Sequence, residues 1–158
     1  MELWDAYDEK LNKIEGVTLI RGETIPEGMF HLVSEIFVRH VDGDILIMRR
    51  DLNKHFGGLW EATAGGSAIK GDSALMCAKR ELFEETGIVC SDLIEVGTVV
   101  SKKHKTIYVE FLAIVDCDKN IITLQEGETI AFKWITSEEL SKMSQDELLT
   151  HRVFEFLK

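Results

Sequence analysis

Three glutamates stand close together in the stretch GGSAIKGDSALMCAKRELFEETGIV, residues 65–89. Glu81, Glu84 and Glu85 are spaced i, i+3 and i+4, so an α-helix would place them on one side, where each like-charged pair costs about 0.2–0.5 kcal/mol. Such a cluster indicates a cation site, because Mg²⁺ binds carboxylate oxygens together with water and substrate phosphate oxygens. The plainer alternative is a solvated charge run, which is the usual meaning of an isolated pair of glutamates.

A helix is predicted over residues 73–86. Leu75, Ala78 and Leu82 form an apolar stripe, and Gly87 follows where a helix would end. The glutamates lie beside this stripe, at the edge of the predicted core. Burial there penalises the carboxylates unless a cation or hydrogen bonds compensate, which favours the cation site over the solvated run.

The residues that precede the helix are suited to complete such a site. Gly65 and Gly66 allow close approach of the backbone, so that a main-chain carbonyl could join the coordination. Asp72 stands just ahead of the helix and is predicted to be its N-cap. Arg80 is predicted to reach toward Asp72 or the loop and to brace the turn.

The complete string from Gly66 to Ile88 resembles the Nudix box, G-x5-E-x7-R-E-U-x-E-E-x-G-U, in which U is aliphatic. Every defined position matches except Asp72, where the family pattern has Glu. The resemblance implies an α+β fold, the Nudix-type α/β/α sandwich with a mixed sheet. We expect a single Nudix-like domain over residues 1–158, with the box at 66–88.

The resemblance also implies a site and an activity. In the family, the glutamates at the positions of Glu81, Glu84 and Glu85 bind a divalent metal, and one of them often deprotonates the attacking water. The carbonyl at the position of Gly65 is a further ligand in some members. The implied enzyme is a pyrophosphohydrolase that uses Mg²⁺ (or Mn²⁺) and water to cleave a phosphoanhydride bond in a nucleoside diphosphate derivative. The positions expected to brace the turn are Gly66, Asp72, Arg80 and Gly87.

Further candidates lie outside the box. Glu128, in the loop before a predicted strand, is a candidate catalytic base alongside Glu81 and Glu84. Arg49 and Arg50 could pair with substrate phosphate. Trp60 could stack on a base. Each has a simpler structural interpretation. Glu128 could be a solvated acid in a turn, the two arginines could form surface ion pairs, and Trp60 could be an aromatic side chain of the core.

The flanking segments ELWDAYDEK, RGETIPEGMFHLV and IMRR resemble the isopentenyl-diphosphate isomerase branch of the Nudix superfamily. The isomerases carry a cysteine, followed closely by a metal-binding histidine, ahead of the box helix, whereas ATAGGSAI (62–69) contains neither. Glu110 and His31 could match the isomerase's catalytic acid and a metal histidine. A hydrolase with an isomerase-like frame is therefore favoured, and an isomerase or a catalytically silent nucleotide-sensing module is the alternative.

Composition narrows the class of partner. The chain has 158 residues and 45% hydrophobic residues, which is typical of one globular domain. Its net charge of −10 argues against a nucleic-acid partner. A small phosphorylated substrate is expected, with no membrane association and with a homodimer left open. The acidic start MELWDAYDEK lacks an apolar core of a signal peptide, and the cysteines show no CxxC spacing, so a reduced cytoplasmic setting is expected.

Strands and helices alternate along the sequence. The turn signal DGD predicts a hairpin of strands at 30–40 and 45–50, and two capping boxes, Thr136 with Glu139 and Ser144 with Glu147, predict two terminal helices. Further strands are expected at 59–66, 94–102, 106–115 and 130–135, with 94–102 and 106–115 forming a second hairpin. The order predicts a mixed sheet covered by helices on both faces.

Overall fold

The computed structural model describes residues 1–149. Within that range the strands are β1 Leu3–Tyr7, β2 Lys13–Ile20, β3 His31–His40, β4 Ile45–Arg50, β5 Trp60–Glu61, β6 Thr63–Ser67, β7 Leu93–Ser101, β8 Thr106–Val115 and β9 Thr129–Ile135. The helices are α1 Ala74–Thr86 and α2 Ser137–Ser141, with a 3-10 turn at Lys119–Ile121. The last residues of the predicted domain, 150–158, lie outside the described part. No helix of residues 1–149 has the length and apolar character needed to cross a bilayer.

The strand β3 is the centre of a mixed sheet. It pairs in parallel with β8 along its whole length, from His31 opposite Thr106 to His40 opposite Val115. Its first half also pairs antiparallel with β6, and its end pairs with β4. Strand β7 continues the sheet antiparallel to β8, while β5 and β9 flank β4. Both predicted hairpins and the predicted mixed sheet are confirmed.

Each face of the sheet buries a separate core, because successive strand residues point to opposite faces. On one face Ile36 and Val38 of β3 pack with Ala78 and Leu82 of α1. On the other face Phe37 packs with residues of β4 and β9 and with Leu140 of α2. The sheet therefore lies between two helical layers, which is the predicted α/β/α sandwich.

Helix α1 differs from the prediction in two details. Its N-cap is Ser73, whose side chain accepts the Met76 N–H at 3.1 Å, because the carboxylate of Asp72 is engaged elsewhere. Leu75, which was predicted to lie on the apolar stripe, is 40% exposed, whereas Cys77 is buried in the core. The helix ends as predicted, with Gly87 at φ +78° donating its N–H to Phe83 O at 2.8 Å.

The N-terminal hairpin of β1 and β2 has no counterpart among the predicted elements. Its strands pair antiparallel and bury a small core of their own around Trp4, Ala6 and Leu19. Tyr7 joins it to the rest of the chain, since its N–H donates to Phe30 O at 2.9 Å. The hairpin is therefore an extension that packs beside the sandwich.

Only one of the two predicted terminal helices lies in the described residues. Helix α2 has the predicted capping box of Thr136 and Glu139. The prediction of a helix from Ser144 is wrong as far as Leu149, where the chain forms a turn and a bridge from Leu148 to Trp60. The backbone hydrogen bonds to Trp60 and the burial of Leu148 stabilise this turn and bridge.

Candidate active site

The glycine pair of β6 creates space that any side chain would fill. A Cβ added at Gly65 would lie 2.3 Å from Ser34 O, inside the backbone of the neighbouring strand β3. A Cβ added at Gly66 would lie 2.6 Å from the carboxyl carbon of Glu81. The first glycine therefore permits strand pairing, and the second gives the Glu81 carboxylate its place against the strand.

Arg80 links the loop before α1 to the glutamates. Its Nη2 donates to Asp72 Oδ2 at 2.8 Å and to Ser67 O at 3.4 Å, and its Nη1 donates to Glu81 Oε1 at 2.8 Å. Asp72 Oδ2 also accepts the Ile69 N–H at 3.2 Å. The shorter acid at position 72 thus still reaches the arginine, which holds one oxygen of Glu81.

The three glutamates occupy different environments. Burial and the nearby charge of Glu81 raise the pKa of Glu85 to about 8, although Gly65 N–H donates to its Oε2 at 3.3 Å. Burial also raises the pKa of Glu81, against the opposing effect of Arg80. Glu84 is more exposed and lies 3.8 Å from Arg80 Nη1. Two carboxylates of the cluster therefore lack sufficient compensating positive charge.

The cluster forms one wall of a cleft of about 510 Å³. Arg21, Lys54 and Glu128 line the same cleft. Lys54 forms an ion pair with Glu128, and Arg21 Nη1 lies 3.0 Å from Glu2 Oε2. Neither cation was among the residues predicted from the sequence. Lys54 lies in the polar loop directly after β4, and that position could have been recognised from the sequence. Arg21 reaches the cleft through the N-terminal hairpin, which was not predicted.

The structure separates the predicted substrate-binding residues. Arg50 lines a small cavity with Glu85 and forms an ion pair with Glu61. Arg49 pairs across the sheet with Trp60, and Trp60 packs against the core on the opposite face, with Lys133 Nζ 4.5 Å from its ring centroid. Because strand residues alternate, Arg50 is brought to the cluster, while Arg49 and Trp60 are not.

The donor set suits a divalent cation, although Glu81 and Glu85 have different protein partners. Among residues 1–149 no three acidic, histidine or cysteine side chains already converge as metal ligands. Glu81 is held by Arg80 and Glu85 by Gly65, while Glu84 is 42% exposed and lies 3.8 Å from Arg80 Nη1. Crowded, partly desolvated carboxylates are nevertheless the ligands that Mg²⁺ accepts, and its binding would offset their repulsion.

The positions related to the isomerase lie apart from this cleft. His31 stacks on Trp4 with ring centroids 4.1 Å apart, and burial lowers its pKa. Glu110 is fully buried on β8. Neither residue is among the described residues that line the cleft. Cys77, the cysteine nearest the glycine pair, donates to Gly66 O at 3.4 Å from within the core.

Comparison with known proteins identifies the family. A model of the NUDIX domain matches residues 29–156. The chain belongs to the NUDIX domain family. An uncharacterized Nudix hydrolase of Listeria monocytogenes is 32% identical over 145 residues, which cover 90% of this chain and 85% of the relative. The Nudix interpretation is confirmed, and the chain is a Nudix-type pyrophosphohydrolase.

Two further comparisons bear on the branch and the fold of this Nudix protein. An isopentenyl-diphosphate Delta-isomerase of Burkholderia multivorans is 32% identical over 126 residues, covering 77% of this chain and 71% of the isomerase. A crystal structure of a Deinococcus radiodurans protein superimposes with a TM-score of 0.76 at 17% identity, over 99% of this chain and 97% of that one. The isomerase-like branch and the sandwich fold are thereby confirmed.

The raised pKa of Glu85 predicts how metal-free stability depends on pH. An unfolded glutamate titrates near pH 4.3, whereas native Glu85 titrates at about 8. Between these values the native state retains a proton that the unfolded chain has lost, so the free energy of unfolding falls as pH rises and levels off above about pH 8. Glu85→Gln should flatten this dependence.

Thermal unfolding in EDTA, followed by circular dichroism between about pH 5 and about pH 8, measures the effect. The quantity to compare is the pH-dependent change in Tm of wild type and Glu85→Gln, because Glu81 contributes in the same direction in both. Identical slopes would contradict the assignment of a buried, proton-retaining carboxyl at position 85.

Proposed function

We propose that this Nudix hydrolase cleaves a phosphoanhydride bond of a nucleoside diphosphate derivative by attack of water at phosphorus, with Mg²⁺ (or Mn²⁺) as cofactor. The observation that carries the proposal is the placement of Glu81, Glu84 and Glu85 along one wall of the 510 Å³ cleft. Cationic side chains from other elements line the same cleft. The combination suits a substrate that is anionic and is bound together with a cation.

The metal ligands in this proposal are the three glutamates and the carbonyl of Gly65. A bound divalent ion supplies positive charge to the phosphate oxygens and lowers the pKa of a coordinated water. The protein's part is to hold the carboxylates at fixed positions. Gly66 leaves room for the Glu81 carboxylate, and Arg80 orients it from the other side.

We place the general base among Glu81, Glu84 and Glu128, since all three line the cleft. Burial raises the pKa of Glu81 above the usual value of a glutamate, which makes its carboxylate a stronger base. Glu84 is the more exposed acid of the box, and Glu128 approaches from the loop before β9 in its ion pair with Lys54. Each would have to lie within hydrogen-bonding reach of the attacking water.

Substrate phosphates would be held by cations of the cleft. Lys54 and Arg21 line it directly, and each is now paired with a single glutamate that a phosphate could replace as partner. Arg50 would act from the adjoining small cavity. Arg49 and Trp60 are left out of the proposal because they lie on the opposite face of the sheet.

Isomerisation of isopentenyl diphosphate is a second candidate, favoured by the 32% identity to an isomerase. Isomerisation needs groups that transfer protons near the box. The strand that leads into the box carries Gly65, Gly66 and Ser67, where the isomerases have a cysteine and a histidine. Cys77 is turned into the core. Hydrolysis therefore fits the described residues better.

A substrate panel tests the proposal. Nucleoside diphosphate derivatives and isopentenyl diphosphate are incubated with Mg²⁺ or Mn²⁺ in ¹⁸O-labelled water, and the products are separated by chromatography. We expect a mononucleotide and a phosphorylated partner, one of them carrying ¹⁸O, and no dimethylallyl diphosphate. Dimethylallyl product would establish the isomerase instead, and nucleotide binding without turnover would establish a sensing module.

A further inference from the structure

The N-terminal hairpin is fastened to the loop that leads into α1. Lys70 N–H donates to Leu3 O at 2.7 Å, and Gly71 N–H donates to Asp5 Oδ2 at 2.8 Å. The Lys70 ammonium donates to Thr18 Oγ1 at 2.7 Å. Both strands of the hairpin therefore hold two consecutive residues of the loop, although the hairpin precedes the residues matched by the family model, 29–156.

Asp5 is the centre of this attachment. It is 6% exposed, and the oxygen that accepts from Gly71 also lies 3.0 Å from Lys13 Nζ. A buried carboxylate that accepts from a backbone N–H and an ammonium makes stronger hydrogen bonds than a neutral group would. Gly71 has φ +92°, a left-handed conformation that favours glycine, so its N–H is presented by a defined turn.

The residue that follows this attachment is Asp72, where the Nudix box has Glu. Asp is one methylene shorter, yet Asp72 Oδ2 lies 2.8 Å from Arg80 Nη2, and Arg80 in turn donates to Glu81. A shorter acid can reach the arginine only if the loop backbone lies close to the helix. The hairpin holds the backbone immediately before Asp72.

We propose that the N-terminal hairpin, through Asp5, positions the acidic cluster by holding the loop where the short Asp72 can orient Arg80 and, through it, Glu81. The inference rests on the proposed function in treating Glu81 as a metal ligand. Asp5 contacts neither the cleft nor the glutamates, so it is a positioning residue. The hairpin compensates for the missing methylene at position 72.

A double-mutant cycle of Asp5→Ala and Asp72→Glu tests this coupling. The Kd for Mn²⁺ is measured by electron paramagnetic resonance, and hydrogen exchange of residues 66–73 is measured in the metal-free protein. Asp5→Ala should raise the Kd about tenfold, as loss of an outer-shell partner does, and should speed exchange in the loop. In the Asp72→Glu background the longer acid reaches Arg80 unaided, so the same change should raise the Kd less than about threefold.

Two variants complete the design. Asp5→Asn should stay near wild type, because its amide oxygen can still accept the Gly71 N–H. If Asp5→Ala does not fold, Asp5→Leu replaces it in the cycle, since it fills the buried position without offering an acceptor to Gly71. Glu15→Ala, at an exposed site of β2, is the matched control and should change neither readout.

The outcomes separate this inference from the proposed function. Equal effects of Asp5→Ala in both backgrounds, or no effect in either, would overturn the positioning role. If the wild type does not bind Mn²⁺, the proposed function fails, while the exchange of residues 66–73 across the four proteins still decides whether Asp5 and residue 72 act together.

Discussion

Glu85→Gln should lower kcat by about 10²-fold or more, comparable to the loss of one strong electrostatic stabiliser. The amide keeps the shape and the contact with Gly65 N–H but removes a charge that a divalent cation needs. Glu81→Gln and Glu84→Gln should cause losses of similar size, since each removes one of the three box carboxylates. Steady-state kinetics at saturating Mg²⁺ would measure the effect.

Glu138→Gln is the matched control for these three variants. Its carboxylate lies on α2, is 78% exposed and pairs only with Lys142 at 3.1 Å among the ion pairs described. Exposed pairs of this kind contribute little, so the variant should retain full activity. If all four variants were equally active, the acidic cluster would have no catalytic role and a nucleotide-sensing function would be favoured.

Thorough chelation with EDTA should abolish hydrolysis, and added Mg²⁺ should restore it. The chain carries a net charge of −10, and the cleft wall concentrates carboxylates, so an anionic diphosphate would be repelled without a cation between them. The loss should be complete within the sensitivity of the assay, because the chelator removes both charge compensation and the means of activating water.

EDTA already saturated with Mg²⁺ is the control for this experiment and should leave the rate unchanged. Circular dichroism recorded in free EDTA would show whether the fold persists, so that loss of activity is not mistaken for unfolding. Hydrolysis that persists after chelation would contradict the metal-dependent mechanism and the proposed metal-binding role of the glutamates.

Sequence reasoning succeeded where a local pattern is sufficient. The spacing of the box predicted one helix, its end at Gly87 and a loop contact for Arg80, because these features depend on residues close in sequence. It failed where two neighbouring side chains compete for the same role. Asp72 was predicted to be the N-cap, but its carboxylate is taken by Arg80 across the turn, and Ser73 caps the helix instead.

The candidate cations show a second limit. Successive strand residues point to opposite faces, and of the two arginines only Arg50 borders the small cavity that contains Glu85. Arg21 could not be found in this way. It reaches the cleft only because the N-terminal hairpin folds beside the box, and the pairing of β1 with β2 left no strong turn signal.

The acidic residues in the last turn of α1 lower the stability of the helix. Glu84 and Glu85 stand near the helix end, where the unpaired carbonyls carry partial negative charge and basic residues would stabilise the helix, yet that turn contains no basic residue. Selection for heat resistance alone would therefore favour replacing these acids with lysine or arginine. Their retention by a chain under such selection would indicate that activity, and not stability, maintains them, a trade-off common at functional sites.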